Sequence, residues 1–220
     1  MNIDPSFAHR ATITERLAVQ VGEQIFAGTL KPGVPLREAD LAAQFAVSRH
    51  VIREVLRTLA ADGLVDYASF RGARVPLLSV EDARDIFRAR RILEASADAM
   101  LALPDAKDIG AIHRRFVAAV KAKDWAVAFN LDRVFHGKIM ETAGSARMSA
   151  WLATLQKDLR LAYLVAPSFN EEGFVDSVDQ HGEIVAALEA KDRTRALAAM
   201  RAHLDAAEDD LLEAMERRRN

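Results

Sequence analysis

Apolar residues recur every three or four positions along almost the whole chain, a spacing that predicts amphipathic α-helices. A first helix is predicted to begin after Thr12, which opens a capping-box sequence, and to end at Gly28. Two shorter helices are predicted over 38–45 and 49–62, joined by the tight turn Ala46-Val47-Ser48. The chain therefore starts with three predicted helices, the last two of them close together.

Helical spacing stops after Gly63. Apolar and aromatic residues then flank Arg71-Gly72-Ala73, which predicts a two-stranded hairpin with Gly72 at its tip. A glycine there would let the loop approach a DNA groove closely and bring Arg71 and Arg74 to the phosphates. The hairpin therefore has the features of a wing.

The rest of the chain returns to helical spacing and predicts six more helices, over residues 80–103, 106–122, 124–142, 146–165, 175–190 and 193–217. Short loops between amphipathic helices favour an antiparallel bundle. We therefore expect a mainly α protein, in which an N-terminal winged helix-turn-helix precedes a six-helix bundle. The expected divisions are a flexible tail at 1–11, a DNA-binding domain at 12–76, a linker at 77–79 and an all-helical effector-binding and dimerisation domain at 80–220.

Composition excludes several classes of protein. The chain has no cysteine, which excludes a disulfide framework, a thiolate metal site and a cysteine nucleophile. It has neither a leader-like N-terminus nor a run of about 18 apolar residues, so we expect a soluble, cytoplasmic protein without a membrane partner. The net charge of −2 is unusual for a nucleic-acid binder, but residues 44–57 hold three arginines and one glutamate. This local positive strip could face phosphates.

The predicted helix over 49–62 carries cations outside its apolar stripe, at Arg49, His50, Arg53 and Arg57. Ordinary surface arginines on a helical core are the alternative interpretation of these residues. The order helix, tight turn, Arg-rich helix and Gly-tipped hairpin favours a DNA-binding winged helix-turn-helix instead.

This region closely resembles the winged helix-turn-helix of GntR-type transcriptional regulators over about residues 14–76. The matching pattern is Gly28-x-Leu30-x-Pro32-Gly33-x-x-Leu36-x-Glu38, then Leu41-Ala42-x-x-Phe45-x-Val47-Ser48-Arg49-x-x-x-Arg53-Glu54-x-Leu56, then Gly63-Leu64-Val65 and Arg71-Gly72-x-x-Val75. The resemblance implies that double-stranded operator DNA is a partner and that the wing glycine enters the minor groove. The DNA-binding residues expected on this basis are Arg37, Ser48, Arg49, His50, Arg53, Arg71 and Gly72. His50 stands where the family often has Pro or Thr, a departure that bears on base preference.

Polar residues interrupt the apolar stripes of the helical half. Asp132 and His136 lie one turn apart on one stripe, and His181 and His203 lie on the stripes of two later helices. A lone core histidine is usually structural, but an unpaired buried carboxylate costs several kcal/mol, on the order of what a metal would relieve. Imidazole nitrogens and a carboxylate oxygen suit a divalent cation, with Zn²⁺ or Ni²⁺ expected first and Mn²⁺ or Fe²⁺ as further candidates.

These motifs resemble the metal-binding, VanR-type branch of the FCD ligand-sensing domain found in FadR-like GntR regulators, over about residues 80–215. They are Arg90-x-x-Leu93-Glu94, Leu131-Asp132-x-x-Phe135-His136, Asp179-x-His181-x-x-Ile184 and Ala199-Met200-x-x-His203-Leu204. The resemblance implies a homodimer whose metal binds a small carboxylate metabolite, with Arg90 as a candidate effector-binding counter-charge. A salt bridge from Arg90 to Glu94, four residues on, is the equally weighted alternative for that residue.

The leading hypothesis is a dimeric, metal-containing, effector-responsive transcriptional regulator, not an enzyme. One alternative is a metal-sensing regulator, in which the ion itself is the signal. Another is a helical metalloenzyme that activates water at the Asp-His site. The sequence disfavours the enzyme because no spare Glu or His is evident as a general base and the winged domain would have no purpose.

Overall fold

The computed structural model describes residues 12–68, 72–96, 105–166 and 169–219, with only the backbone described at 169–172 and 218–219. The chain divides into two units, Met1–Leu77 and Leu78–Asn220. The predicted flexible tail at 1–11, and Phe70 and Arg71 in the predicted hairpin, lie outside the described residues.

The first unit contains three helices and three short strands. They are α1 (Ile13–Phe26), β1 (Pro35–Leu36), α2 (Glu38–Phe45), α3 (Arg49–Ala61), β2 (Asp66–Ala68) and β3 (Gly72–Arg74). The capping box predicted at Thr12 is confirmed, because its side chain accepts from the Glu15 amide while the Glu15 carboxylate accepts from the Thr12 amide. Apolar side chains from all three helices are buried, among them Val21, Ile25, Leu41, Ile52, Val55, Leu56 and Leu59.

The turn between α2 and α3 is set by two local features. Ala46 takes the left-handed conformation, with φ at 51°, and ends α2. Ser48 then caps α3 by accepting a hydrogen bond from the Val51 amide at 3.3 Å. The helix-turn-helix expected from the sequence is therefore present, with α3 as its second helix.

The wing has one more strand than the sequence predicted. Its sheet has the antiparallel order β1-β3-β2, with Pro35 opposite Arg74 and Tyr67 opposite Ala73. The sequence predicted no strand before α2, because two residues are too few for alternation to appear and Pro35 cannot donate to a ladder. An edge strand tolerates that proline.

Among the described residues of the second unit, all regular secondary structure is helical. Its six helices are α4 (Val80–Glu94), α5 (Ala106–Lys121), α6 (Trp125–Glu141), α7 (Ala146–Val165), α8 (Phe169–Glu189) and α9 (Arg193–Arg219). The mainly α prediction is therefore confirmed. Over the ranges that the structure describes, no helix combines the length and the apolar character needed to cross a membrane.

Two predicted helix boundaries are wrong. Helix α4 ends at Glu94, although apolar spacing without Gly or Pro continues to residue 103 and led to a longer prediction; residues 97–104 lie outside the described residues. Helix α8 begins at Phe169 instead of 175, because Pro167 and Gly173 suggested a loop. Gly173 instead lies within the helix, where its carbonyl accepts a hydrogen bond from the Ser177 hydroxyl.

Where side chains are described, every buried polar residue belongs to the second unit. Aromatic side chains fill one part of its core, with Phe116, Phe129, Tyr163 and Phe174 in edge-to-face contacts. The buried polar side chains are Arg90, Glu94, Asp132, His136, Gln156, Ser177, His181 and His203. Six of these eight carry an ionisable group, so the core contains a cluster that needs a chemical explanation.

Candidate metal centre and nucleic-acid interface

The four residues that the sequence singled out as metal ligands come together in the second unit. Asp132 and His136 lie on α6, His181 on α8 and His203 on α9, and all four are buried. Their candidate ligand atoms all lie within 4.8 Å of one another. Three helices therefore bring four donors to one point.

The three imidazoles present their Nε2 atoms to the same centre. Nε2 of His203 lies 3.2 Å from Nε2 of His136 and 3.3 Å from Nε2 of His181. Oδ1 of Asp132 lies 3.7 Å from Nε2 of His136 and 3.6 Å from Nε2 of His181. The ring of His181 stacks on Phe135, with centroids 4.2 Å apart and planes inclined by 14°.

The other ring nitrogens point away from this centre. Nδ1 of His136 lies 2.6 Å from Oε2 of Glu94, whose Oε1 accepts a hydrogen bond from Nε of Arg90 at 2.6 Å. Nδ1 of His203 lies 2.8 Å from Oε1 of Gln180. Among the described residues, neither Nδ1 of His181 nor Nδ1 of His136 has a partner with hydrogen-bond geometry, and Nδ1 of His181 has no ion-pair contact either.

Electrostatics keep His181 and His203 neutral at ordinary pH. Burial lowers the pKa of His181 well below its usual value, and the neighbouring His203 and His136 lower it further. Burial, with His136 beside it, does the same to the pKa of His203. Burial also raises the pKa of Asp132, although His136 and Arg90 oppose that effect. His181 and His203 therefore offer neutral imidazole nitrogens, the form that binds metal.

Glu94 is charged in spite of its burial. Burial alone would raise its pKa, but the charges of Arg90 and His136 and their close contacts outweigh that effect and lower the pKa to about 2. A carboxylate that is ionised at neutral pH can only accept hydrogen bonds. Glu94 therefore accepts hydrogen bonds from Arg90 and forms a close ion-pair contact with Nδ1 of His136.

A divalent cation fits this donor set. With Zn–N bonds of about 2.0–2.1 Å, two nitrogens bound to one tetrahedral zinc ion lie about 3.3 Å apart. The two Nε2 contacts of His203, 3.2 and 3.3 Å, match that separation. Outward-facing nitrogens held by a carboxylate and an amide are also typical of metal-binding histidines. The cluster could hold a metal, and its composition does not select one metal.

Arg90 lies beside this cluster and is engaged with Glu94. Its side chain is only 2% exposed, and two hydrogen bonds join it to Glu94, at 2.6 and 3.4 Å. This is the pairing considered as the alternative for Arg90, now in the core instead of on the surface. A role of Arg90 in effector binding stays a prediction.

The sequence did not predict that Glu94 and Gln180 contact the outer ring nitrogens of His136 and His203. Glu94 was noted only as a possible partner of Arg90, and its contact with His136 on another helix has no signal in local spacing. Gln180 directly precedes His181 and lies off the apolar stripe of α8, half-buried. His113, a fourth histidine of this unit, lies outside the cluster, with Nε2 at 3.0 Å from the Val178 carbonyl.

The predicted DNA-binding residues of α2 and α3 form an exposed group in the first unit. Arg37 is the N-cap residue of α2 and makes no side-chain capping bond. Arg49 and His50 begin α3 directly after the capping Ser48, and all three are exposed. The N-terminal turn of the second helix is the part of a helix-turn-helix that contacts base edges.

Arg53 is exposed but already paired. Its Nε and Nη2 donate to the two carboxylate oxygens of Glu38 at 3.0 and 2.8 Å, which joins α3 to α2. These hydrogen bonds lower the pKa of Glu38. The pair spans two elements, so periodicity within one helix could not predict it.

The wing residues are only partly described. Gly72 is the first residue of β3, exposed, with φ at 80°, a conformation that L side chains rarely adopt. It lies opposite Ala68 of β2 in the antiparallel register. Arg74 pairs with Asp66 across the wing at 3.2 Å.

Two known families match the two halves of the chain. Residues 13–75 match the family described as bacterial regulatory proteins, gntR family. Residues 85–206, more than half of the chain, match the FCD domain. The two matches lie within the two units of the structure, one in each.

Individual relatives align over most of their length. The chain is 28% identical to a probable D-xylose utilization operon transcriptional repressor of Paenarthrobacter nicotinovorans, over 90% of this chain and 88% of that protein. It is 34% identical to a Streptomyces ambofaciens protein described as an uncharacterized HTH-type transcriptional regulator in an unstable DNA locus, over 83% and 78%. A crystal structure of a GntR-type regulator from Rhodococcus sp. RHA1 superposes with a TM-score of 0.80 and 25% identity, covering 91% of this chain and 97% of that one.

Proposed function

Because the chain belongs to the GntR family of bacterial regulatory proteins and carries an FCD domain, it is a DNA-binding transcriptional regulator and not an enzyme, and we propose that it is a repressor controlled by a small carboxylate effector. In this proposal the effector binds at a divalent metal held by Asp132, His136, His181 and His203. The chain then falls in the VanR-type branch of the family.

The observation that carries the effector part of the proposal is the four-donor cluster. Within the described residues it is the one group of at least three His, Asp or Glu side chains with the spacing of a metal site. When bound, the metal supplies a positive charge at which a carboxylate can bind. Asp132 offsets part of that charge, while Glu94 and Arg90 neutralise each other alongside it.

The DNA end of the proposal rests on the exposed residues at the start of α3. In this proposal Arg49 and His50 contact base edges or phosphates, Arg37 adds positive charge at the start of α2, and Arg53, paired with Glu38, offers its remaining donors. The name of the Paenarthrobacter relative supports repression as the direction of control.

We further propose that the regulator is a homodimer, since helix-turn-helix proteins bind two half-sites as dimers. An apolar groove between α4 and α7 offers surface for a second copy. Ile92 and Trp151 are exposed there, beside Ala89, Leu93, Thr154 and Leu155. Exposed apolar patches of this kind mark interaction sites.

DNA recognition is tested by titrating labelled duplexes, one from the regulator's own upstream region and one of random sequence, at about 0.15 M salt. We expect a clear preference for the upstream duplex in fluorescence anisotropy. Arg49→Ala should weaken specific binding about tenfold or more, because it removes a contact at the N-terminal turn of α3. Arg16→Ala, which removes an exposed arginine from α1 of the same unit, is the matched control and should bind within about twofold of wild type. Equal wild-type affinity for both duplexes would contradict the proposal.

The effector part is tested by thermal unfolding with a panel of small carboxylates, with and without Zn²⁺ or Ni²⁺. We expect stabilisation by a carboxylate only when metal is present, since the metal supplies the charge that binds it. At a concentration 100 times its Kd, such a ligand adds about 2.7 kcal/mol to the stability of the unit. Carboxylates that stabilise the chelator-treated protein equally well would overturn a metal-held effector.

A metal-sensing regulator is the second candidate, favoured by the same cluster. The two candidate functions differ in how readily the metal exchanges with solution. A resident metal that serves as an effector platform survives dialysis against a chelator. A sensed metal leaves easily, and its loss changes operator affinity. Elemental analysis of the dialysed protein, followed by the DNA titration with and without added metal, separates them.

A further inference from the structure

We propose that Glu94 and Gln180 are positioning residues that fix the ring tautomers of His136 and His203, so that both imidazoles present Nε2 lone pairs to the cluster. This inference deepens the proposed function and rests on it only in naming a metal as the guest of the cluster. It assigns a role to two residues that do not themselves face the centre of the site.

The contact between Glu94 and His136 sets the first tautomer. Oε2 of Glu94 lies 2.6 Å from Nδ1 of His136, and Glu94 is 1% exposed. An ionised carboxylate has no proton to give, so the proton between these atoms belongs to Nδ1. A histidine that binds a metal must be neutral, so with Nδ1 of His136 protonated the lone pair of the metal-binding form lies on Nε2.

Arg90 keeps Glu94 in the charged form that this role needs. Its guanidinium donates to both carboxylate oxygens, at 2.6 and 3.4 Å, and is itself buried. A buried ion pair is tolerated when further hydrogen bonds satisfy its atoms. Here Nδ1 of His136 adds an ion-pair contact, so helix α4 contributes an oriented charge pair to a site whose ligands lie on α6, α8 and α9.

Gln180 sets the second tautomer. Its Oε1 lies 2.8 Å from Nδ1 of His203, and an amide oxygen only accepts. The proton of neutral His203 is therefore on Nδ1, with the lone pair on Nε2. The Nε2 atoms of His136 and His203 face each other across 3.2 Å, and in the metal-binding form both carry lone pairs.

Such an arrangement is repulsive unless a cation or a proton lies between the two nitrogens. Nε2 of His181 is within 3.3 Å of Nε2 of His203, and Nδ1 of His181 has no partner within the part of the chain that the structure describes. The two fixed tautomers prepare the site for a cation, whereas among the described residues no side chain fixes the tautomer of His181.

The test measures tautomers and metal affinity separately in the full-length protein. In metal-free protein labelled with ¹⁵N-histidine, long-range ¹H–¹⁵N spectra at neutral pH report which ring nitrogen carries the proton. We expect Nδ1–H at His136 and His203. Protonation of either residue at Nε2 alone would overturn the inference, whether or not the protein binds metal. A wild-type protein that shows the expected tautomers but binds no Zn²⁺ would instead overturn the proposed function.

Variants then connect the tautomer to affinity. Gln180→Leu, at a half-buried position where misfolding is not expected, should lose the fixed tautomer of His203 and bind Zn²⁺ about 10–100-fold more weakly in a chelator competition. Gln180→Glu, which restores an acceptor, should bind at least as tightly as wild type. Glu94→Gln should weaken binding by a similar factor. Glu183→Gln removes an exposed charge from α8 and is the control, expected to stay within about twofold. Unchanged tautomer and affinity in Gln180→Leu would refute the role of that residue.

Discussion

Replacing Arg90 by Met is expected to lower the free energy of unfolding of the second unit by about 3–5 kcal/mol, the usual cost of leaving a buried charge without its partner. Arg90 and Glu94 are 2% and 1% exposed, so water cannot solvate the carboxylate that remains. His136 would be the only described side chain still in contact with that carboxylate by hydrogen bond or ion pair. Both tryptophans of the chain, Trp125 and Trp151, lie in the second unit, so fluorescence in a urea titration reports on this unit alone.

Arg88→Met is the matched control for that experiment. Arg88 lies two residues earlier on α4, pairs with Asp85 at 3.0 Å and is 72% exposed. Its replacement should change the unfolding free energy by no more than about 0.5 kcal/mol. The double variant Arg90→Met with Glu94→Gln should recover part of the loss, because no net charge stays buried. A single Arg90→Met variant within about 1 kcal/mol of wild type would show that the pair is not a buried ion pair in solution.

His203→Ala is expected to abolish stoichiometric metal binding. Nε2 of His203 lies within 3.3 Å of Nε2 of both other histidines in the cluster. The substitution therefore removes the metal-ligand nitrogen that lies next to both of them. The fall in Zn²⁺ affinity should exceed the roughly 10–100-fold that the loss of an outer partner causes. Metal content per chain, measured by elemental analysis after loading and dialysis, should fall from about one to near zero.

His113→Ala provides the control for that loss. It removes the same kind of side chain from the same unit, and its ring centroid lies 6.4 Å from that of His181, but Nε2 of His113 contacts the Val178 carbonyl and not the cluster. This variant should keep its full metal content. Both variants should still bind DNA, since the helix-turn-helix belongs to the other unit. One metal per chain retained in His203→Ala would remove His203 from the ligand set.

Most of the fold follows from features that are local in sequence. The capping boxes at Thr12 and Ser79, each with an acidic residue three positions later, mark two helix starts that the structure has. Features that depend on residues distant in sequence could not be predicted from local patterns. Strand β1 exists only because β3 pairs with it, and nothing local to Glu94 shows that α4 ends there.

The candidate site divides in the same manner. Each proposed ligand interrupts an apolar stripe, so Asp132, His136, His181 and His203 could be selected by helical periodicity before their contacts were known. The partners of their outer nitrogens could not. Glu94 lies on another helix from His136, and Gln180 lies off the buried stripe, so only the packing of α4, α6, α8 and α9 brings them into contact.

The ion pair between Arg53 and Glu38 has a consequence for the entropy of DNA binding. An arginine that becomes ordered at an interface loses rotamer freedom equivalent to about 1.5–2 kcal/mol. Arg53 is already held by two hydrogen bonds in the first unit, and these use two of its five N–H donors. The other three donors keep a defined direction. A phosphate or base that binds these donors meets a preorganised side chain. The entropy cost of ordering Arg53 on operator binding is therefore small.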